Sequence, residues 1–119
     1  MQVQLRAAAL FLGMVACSAP SAADRHLGVA TCAGSACHGA ARMSGGNVRQ
    51  DEYLLWQRRD RHAQAYATLR SDRSRRIAAN LGLRDATSAP ICLACHADDV
   101  PAAERGARYQ VSDGVGCEA

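Results

Sequence analysis

Two short segments of the sequence contain a pair of cysteines and end in Cys-His. The first is CAGSACH, with Cys32, Cys37 and His38, and the second is CLACH, with Cys92, Cys95 and His96. Two thiols three positions apart, as in CLACH, lie on one side of a short helical turn, and the imidazole follows directly. This spacing favours a bound group that uses sulfur and nitrogen together.

The CLACH segment has the C-x-x-C-H pattern of a c-type haem attachment site. Cys92 and Cys95 can add to the two vinyl groups of one porphyrin, and His96 then lies beneath the iron as the proximal ligand. C-x-x-C alone would also fit a zinc half-site or a redox disulfide. The adjacent histidine, in a chain with the export signal described below, favours haem.

The CAGSACH segment is less specific, because four residues separate its cysteines. Alone it fits a haem, a zinc site or a disulfide equally well. Beside CLACH, it predicts a second haem bound through Cys32 and Cys37 with His38 as the proximal ligand. A disulfide framework would not require both segments to end in Cys-His.

A further cysteine, Cys117, stands in the terminal sequence GCEA. These residues match the start of another C-x-x-C-H pattern. We therefore expect the chain to be the N-terminal part of a longer protein, ending inside a third haem motif that is incomplete here. The alternative is a true C-terminus whose spare thiol pairs with another chain.

The first 23 residues have the pattern of a secretory signal peptide. A single charge, Arg6, precedes the apolar run at 7–16, and small residues lead to Ala23. Cleavage there would leave a periplasmic chain of residues 24–119. A loose lipobox at 14–17 offers an alternative in which Cys17 carries lipid and anchors the protein to a membrane. Either route leads to a compartment that permits disulfides.

The residues after position 23 lack the aromatic side chains of an ordinary core. The only Phe, Phe11, lies in the signal sequence, and one Trp and three Tyr remain. Aromatic residues supply much of the buried area of small cores, so we expect haems to act as the core. The 14 basic residues, all Arg, are mixed with 11 acidic ones, which argues against nucleic-acid binding.

The residue pattern predicts a mainly α fold with long loops. Residues 48–83 have a helical pattern, with Asp51, Asp60 and Ser71 as possible N-caps and Gly82 at a helix end. Residues 84–91 read as a linker in which Pro90 forbids helix. No alternation is long enough to predict a sheet.

Two further histidines are candidate sixth ligands of the haem irons. His62 is the better candidate, because Tyr66 and Leu69 follow on the same helical face and the intervening alanines would let a porphyrin approach. Its alternative is a solvent-exposed helix residue. His26 is the second candidate, and its alternative is a place in a flexible N-terminus. Nearby arginines could pair with haem propionates, namely Arg58, Arg59, Arg61 and Arg76.

These segments resemble the periplasmic multihaem c-type cytochromes related to the tetrahaem electron carriers of ammonia oxidisers and to the haem core of hydroxylamine oxidoreductase. The resemblance covers most of 24–119 and rests on both Cys-His motifs, the segment from Trp56 to Ala65, and the terminal GVGCEA. It implies closely spaced haems with little regular structure between them, and a distal-ligand role for His62. The wide spacing of the first motif and the incomplete third motif depart from the family pattern.

Together these features predict periplasmic electron transfer between a quinol-side donor and a periplasmic acceptor. Two-histidine ligation would leave no open iron position, which favours a carrier over an enzyme, and would give low potentials. If His26 does not bind, one iron could be five-coordinate and act on small nitrogen oxides as an enzyme or sensor. A structural zinc protein using the four motif cysteines is the more distant alternative.

Overall fold

The computed structural model describes residues 25–119, so the predicted signal peptide and Cys17 lie outside the described residues. Within these residues five α-helices follow in order: α1 (Val29–Cys32), α2 (Glu52–Arg59), α3 (Ala65–Thr68), α4 (Asp72–Asn80) and α5 (Pro90–His96). The same part of the chain has 3₁₀ turns at Arg61–Gln64, Ala102–Glu104 and Val111–Asp113. In this part of the chain, β pairing is limited to an isolated bridge between His26 and Arg105. The mainly α prediction is confirmed, and no helix within 25–119 is long and apolar enough to cross a membrane.

The ends of α4 follow the local sequence signals. The Ser71 hydroxyl accepts a hydrogen bond from the Ser74 backbone N–H at 3.2 Å, as an N-cap does. Gly82 follows the end of the helix with φ of 69°, a conformation that favours glycine. Asp51 precedes α2 as expected, but its carboxylate pairs with Arg49 and does not cap that helix.

Pro90 begins a helix, so the prediction that it forbids helix at 90–91 was wrong. It is the first residue of α5, the helix that carries the CLACH motif. Proline suits a first helical position because the N–H it lacks would have had no partner within the helix, and its φ is already helical.

The prediction that His62, Tyr66 and Leu69 share one helical face was also wrong. Asp60 accepts a hydrogen bond from the His62 N–H at 2.9 Å and starts the 3₁₀ turn, so the α-helical register begins only at Ala65. Tyr66 and Leu69 are consequently buried, whereas His62 lies exposed. The histidine is therefore presented outward from the core.

The core is small and lies where α3, α4 and α5 meet. Cys92, Leu83 and Val111 pack against its edge. No side chain within 25–119 is both large and fully buried. The core consists of six residues, of which three are alanine: Tyr66, Leu69, Ala78, Ala86, Leu93 and Ala97.

Hydrogen bonds to backbone groups hold residues 114 and 115 against α2 and against the 3₁₀ turn that contains His62. The Trp56 indole N–H donates to the Val115 carbonyl at 2.9 Å, and the Val115 N–H donates to the His62 carbonyl at 3.1 Å. The Gly114 carbonyl accepts from the Asp98 N–H at 2.9 Å. Gly114 and Val115 together thus join the segment after α5 to the segment around His62.

Gly114→Ala is expected to destabilise the protein. Gly114 has φ of 81°, and an added Cβ would lie 2.4 Å from the His62 carbonyl oxygen. The backbone strain alone should cost about 1–3 kcal/mol. Thermal unfolding followed by circular dichroism measures the change. Gly45→Ala is the matched control, because nothing lies within 4 Å of its added Cβ and φ is not positive there. Equal unfolding midpoints for the two variants would contradict the prediction.

Candidate haem sites

The CLACH motif lies on α5 with its histidine held in one tautomer. His96 Nδ1 lies 2.9 Å from the Ala65 carbonyl oxygen and 3.1 Å from Thr68 Oγ1. A carbonyl can only accept, so Nδ1 is the donor, and in the neutral ring Nε2 is then the nitrogen with the lone pair. This is the arrangement of a histidine that binds a metal through Nε2.

An apolar cleft of about 260 Å³ adjoins this motif and is lined in part by Cys92, Cys95 and His96. Aliphatic side chains of α4 and α5 form its walls. Ile77 is 47% exposed, Leu81 60% and Ile91 69%. Ile77 and Leu81, four residues apart in the sequence, both border the cleft. Such a surface beside two thiols and an imidazole suits a flat, mostly apolar ligand.

The CAGSACH motif forms the end of α1 and the turns after it. Cys32 is the last residue of α1 and is half-buried, whereas Cys37 and His38 are exposed. Gly34 accepts hydrogen bonds from the N–H groups of Cys37 and Gly39, both at 2.9 Å, which closes the loop between the two cysteines. The wide spacing is thus accommodated by a compact turn.

A carboxylate orients His38 as the Ala65 carbonyl orients His96. His38 Nδ1 lies 3.2 Å from Glu52 Oε2, at the start of α2. Hydrogen bonds from the backbone of Glu52 itself, then from His38 and Gln50, lower the pKa of Glu52, so it is an anionic acceptor at neutral pH. His38 Nε2 faces away from this pair.

Cys117 lies beside Cys32 and forms no disulfide with another cysteine of residues 25–119. The Glu118 carboxylate accepts from the Leu27 and Gly28 N–H groups at 3.0 and 2.8 Å, which places the end of the chain against the residues before α1. Burial, and then the neighbouring Cys32 thiol, raise the pKa of the Cys117 thiol. The continuation of a third motif after Ala119 stays a prediction.

His62 is exposed, yet its ring is fixed. Asp60 Oδ1 lies 2.8 Å from His62 Nδ1 while it also accepts from the His62 N–H. That backbone hydrogen bond is the main reason why the pKa of Asp60 lies below its usual range. The ring borders a groove of about 620 Å³ formed with Leu55 and Trp56, and with two of the four arginines proposed for propionates, Arg59 and Arg61.

His26 is half-buried and held at both its backbone and its ring. Its N–H donates to the Glu104 carbonyl and its carbonyl accepts from Gly106, both at 2.8 Å. Its Nδ1 lies 2.7 Å from Asp98 Oδ2, and that hydrogen bond raises the pKa of His26. These contacts argue against the alternative in which His26 lies in a flexible N-terminus.

The carboxylates that hold these rings were not identified as site residues from the sequence. Asp60 was considered only as a helix cap, although it stands two residues before His62. Asp98 stands two residues after His96 but contacts the distant His26. Glu52 is fourteen residues from His38, and only the folded chain brings the two together.

The structure keeps the two Cys-His motifs as separate sites. In the part of the chain that the structure describes, no three His, Cys, Asp or Glu side chains converge as a metal-ion site would require. A single zinc site built from Cys32, Cys37, Cys92 and Cys95 is not formed by this arrangement.

Comparison with known proteins agrees with the arrangement of these motifs. The family model described as cytochrome c554 and c-prime matches residues 31–119, which include both Cys-His motifs, His62 and Cys117. No individual curated protein and no solved structure matches the chain. The protein is a c-type haem protein with a role in electron transfer, and it belongs to the cytochrome c554 and c-prime family.

Proposed function

We propose that this protein is a periplasmic electron carrier with two covalently attached haems, each bound by two histidines. The observation that carries the proposal is the CLACH site. There, two thiols and a histidine with a free Nε2 adjoin a cleft whose aliphatic walls are exposed to solvent. A bound c-type haem would supply one-electron chemistry by exchange between ferric and ferrous iron.

The residues at the CLACH site fit a haem in three respects. Cys92 and Cys95 carry free thiols for thioether bonds. Ile77, Leu81 and Ile91 offer apolar surface to a porphyrin face. The proton of His96 lies on Nδ1, so Nε2 can bind iron without a change of tautomer.

The CAGSACH site fits a second haem through the same types of donor. Cys32 and Cys37 would form the thioethers, and His38 would bind through the nitrogen opposite its contact with Glu52. The compact turn closed by Gly34 supports attachment despite the wider spacing.

Axial ligands from elsewhere in the chain would complete the coordination. His62 and His26 are the candidates, because each ring is oriented through Nδ1 by a carboxylate. The exposed His62 ring borders a groove with apolar, basic and acidic lining residues, where Arg59 and Arg61 could pair with propionates. Histidine at both axial positions favours a low-potential carrier over a catalyst.

Location and partners follow from the same proposal. The signal-peptide pattern at 1–23 supports export to the periplasm, where haem attachment would occur. The redox partners would be a quinol-side donor and a periplasmic acceptor. Lipid on Cys17 would instead place the carrier at a membrane surface.

The protein matured in a periplasm with haem-attachment machinery is expected to show sharp low-spin c-type bands after reduction. The pyridine haemochrome should give two haems per chain. A second cytochrome matured in the same strain is the control for the machinery. A colourless product beside a normal control would contradict the proposal, and a spectral shift with added nitric oxide would favour the five-coordinate enzyme or sensor.

Leu81→Asp is expected to lower haem content from two per chain toward one, because a carboxylate would lose hydration against a porphyrin in the CLACH cleft. Haem per chain and thioether-linked peptides measured by mass spectrometry report the loss. Met43→Asp is the matched control, since Met43 is similarly exposed and does not line the cleft. Equal haem content in both variants would contradict the proposed position of the haem.

His62→Ala is expected to convert one haem to a high-spin form and leave the other low-spin, because one axial ligand is lost. Electron paramagnetic resonance of the oxidised protein measures the conversion, and carbon monoxide binding to the reduced form confirms an open position. Gln64→Ala, in the same 3₁₀ turn, should leave both signals unchanged. Two low-spin haems in His62→Ala would exclude His62 as a ligand.

A further inference from the structure

All four histidine rings in the described chain are held at Nδ1 by an oxygen atom, but the type of oxygen differs. His26, His38 and His62 contact the carboxylates of Asp98, Glu52 and Asp60, at 2.7, 3.2 and 2.8 Å. His96 contacts the neutral carbonyl of Ala65 at 2.9 Å. Three of the rings therefore have an anionic partner and one has a neutral partner.

We propose that Asp60, Glu52 and Asp98 are positioning residues that fix the iron-binding nitrogen of their histidines and lower the reduction potentials of the haems those histidines bind. The inference rests on the proposed function, because it requires the histidines to be iron ligands. It adds a role for three carboxylates that lie outside the Cys-His motifs.

The contact of Asp60 with His62 is the clearest case, because one carboxylate oxygen contacts the residue twice. Asp60 Oδ1 accepts from the backbone N–H at 2.9 Å and from ring Nδ1 at 2.8 Å. These two contacts restrict the ring of a side chain that is 66% exposed. The Nε2 edge is thereby held away from Asp60.

Stability alone does not account for this arrangement. An exposed pair of this kind contributes little to folding, because ordering the two side chains offsets much of the electrostatic gain. A ligand that must meet iron in one orientation benefits from the same restriction, because the entropy is lost before binding.

The electronic effect follows from the acceptor. A carboxylate accepts the Nδ1 proton more strongly than a carbonyl does, which leaves more electron density on the ring. A ring with more electron density donates more strongly through Nε2 and favours ferric over ferrous iron. Haems with carboxylate-held ligands should therefore be harder to reduce than they would be with the same ligands held by neutral groups.

Asp60→Asn in the haem-loaded protein tests the inference. The amide oxygen can still accept from His62, but the negative charge is gone. We expect an upward shift in one component of the potentiometric titration, with two low-spin haems retained. Asp60→Ala, which removes both contacts, should in addition produce some high-spin haem.

Asp72→Asn is the matched control for loss of one negative charge. Asp72 is exposed in the first turn of α4 and pairs with Arg75, and it has no hydrogen bond to a histidine. The reduction potentials of the haems in Asp72→Asn should equal those in the wild type. An equal shift in Asp72→Asn and Asp60→Asn, or no shift in Asp60→Asn, would overturn the inference.

Glu52→Gln is an independent variant, because it acts on His38 and would alter the other haem motif. An upward shift in one component supports the inference even if Asp60→Asn does not fold, and unchanged potentials overturn it for His38. A wild type without haem would overturn the proposed function itself. A low-spin wild type with variants of unchanged potential would overturn only the role of the carboxylates.

Discussion

The shortage of large apolar side chains is the constraint on which the rest of this structure depends. In the part of the chain that the structure describes, the core cluster has six residues, three of them alanine, so side-chain burial contributes little to fixing the loops. Hydrogen bonds between distant parts of the chain, each with at least one backbone group, position the loops instead. Trp56 contacts Val115, Gly114 contacts Asp98, and Glu118 holds Gly28. These bonds bring the last residues of the chain beside α1 and His62.

A chain organised in this way places its chemically useful side chains at the edge of the core. His62 is exposed, and Ile77, Leu81 and Ile91 form an apolar wall that faces solvent. Both features suit a protein whose bound groups complete its hydrophobic interior. Each histidine nevertheless has a defined orientation, because a nearby oxygen holds Nδ1. Ordered histidine rings beside open clefts are compatible with a bulky cofactor and with electron transfer.

Much of the local structure could be predicted because its signals lie within a few residues of one another. Ser71 and Gly82 mark the ends of α4, and the absence of strand patterns agrees with a helical fold. Predictions failed where two local effects compete. Pro90 was read as a helix breaker, but at a first helical position it begins α5. Asp60 starts a 3₁₀ turn, which delays the α-helical register. His62 therefore does not share a helical face with Tyr66 and Leu69.

The sequence by itself determined the chemical class of this protein. Cys-His spacing restricts which group the thiols and imidazoles can bind together, and that information is local. Tertiary structure alone decided which oxygen holds each ring, since Glu52 meets His38 across fourteen residues and Asp98 meets His26 across seventy-two. It also placed α4 opposite α5 to form the cleft beside Cys92 and Cys95. Such contacts depend on how loops close, and no spacing along the chain specifies that closure.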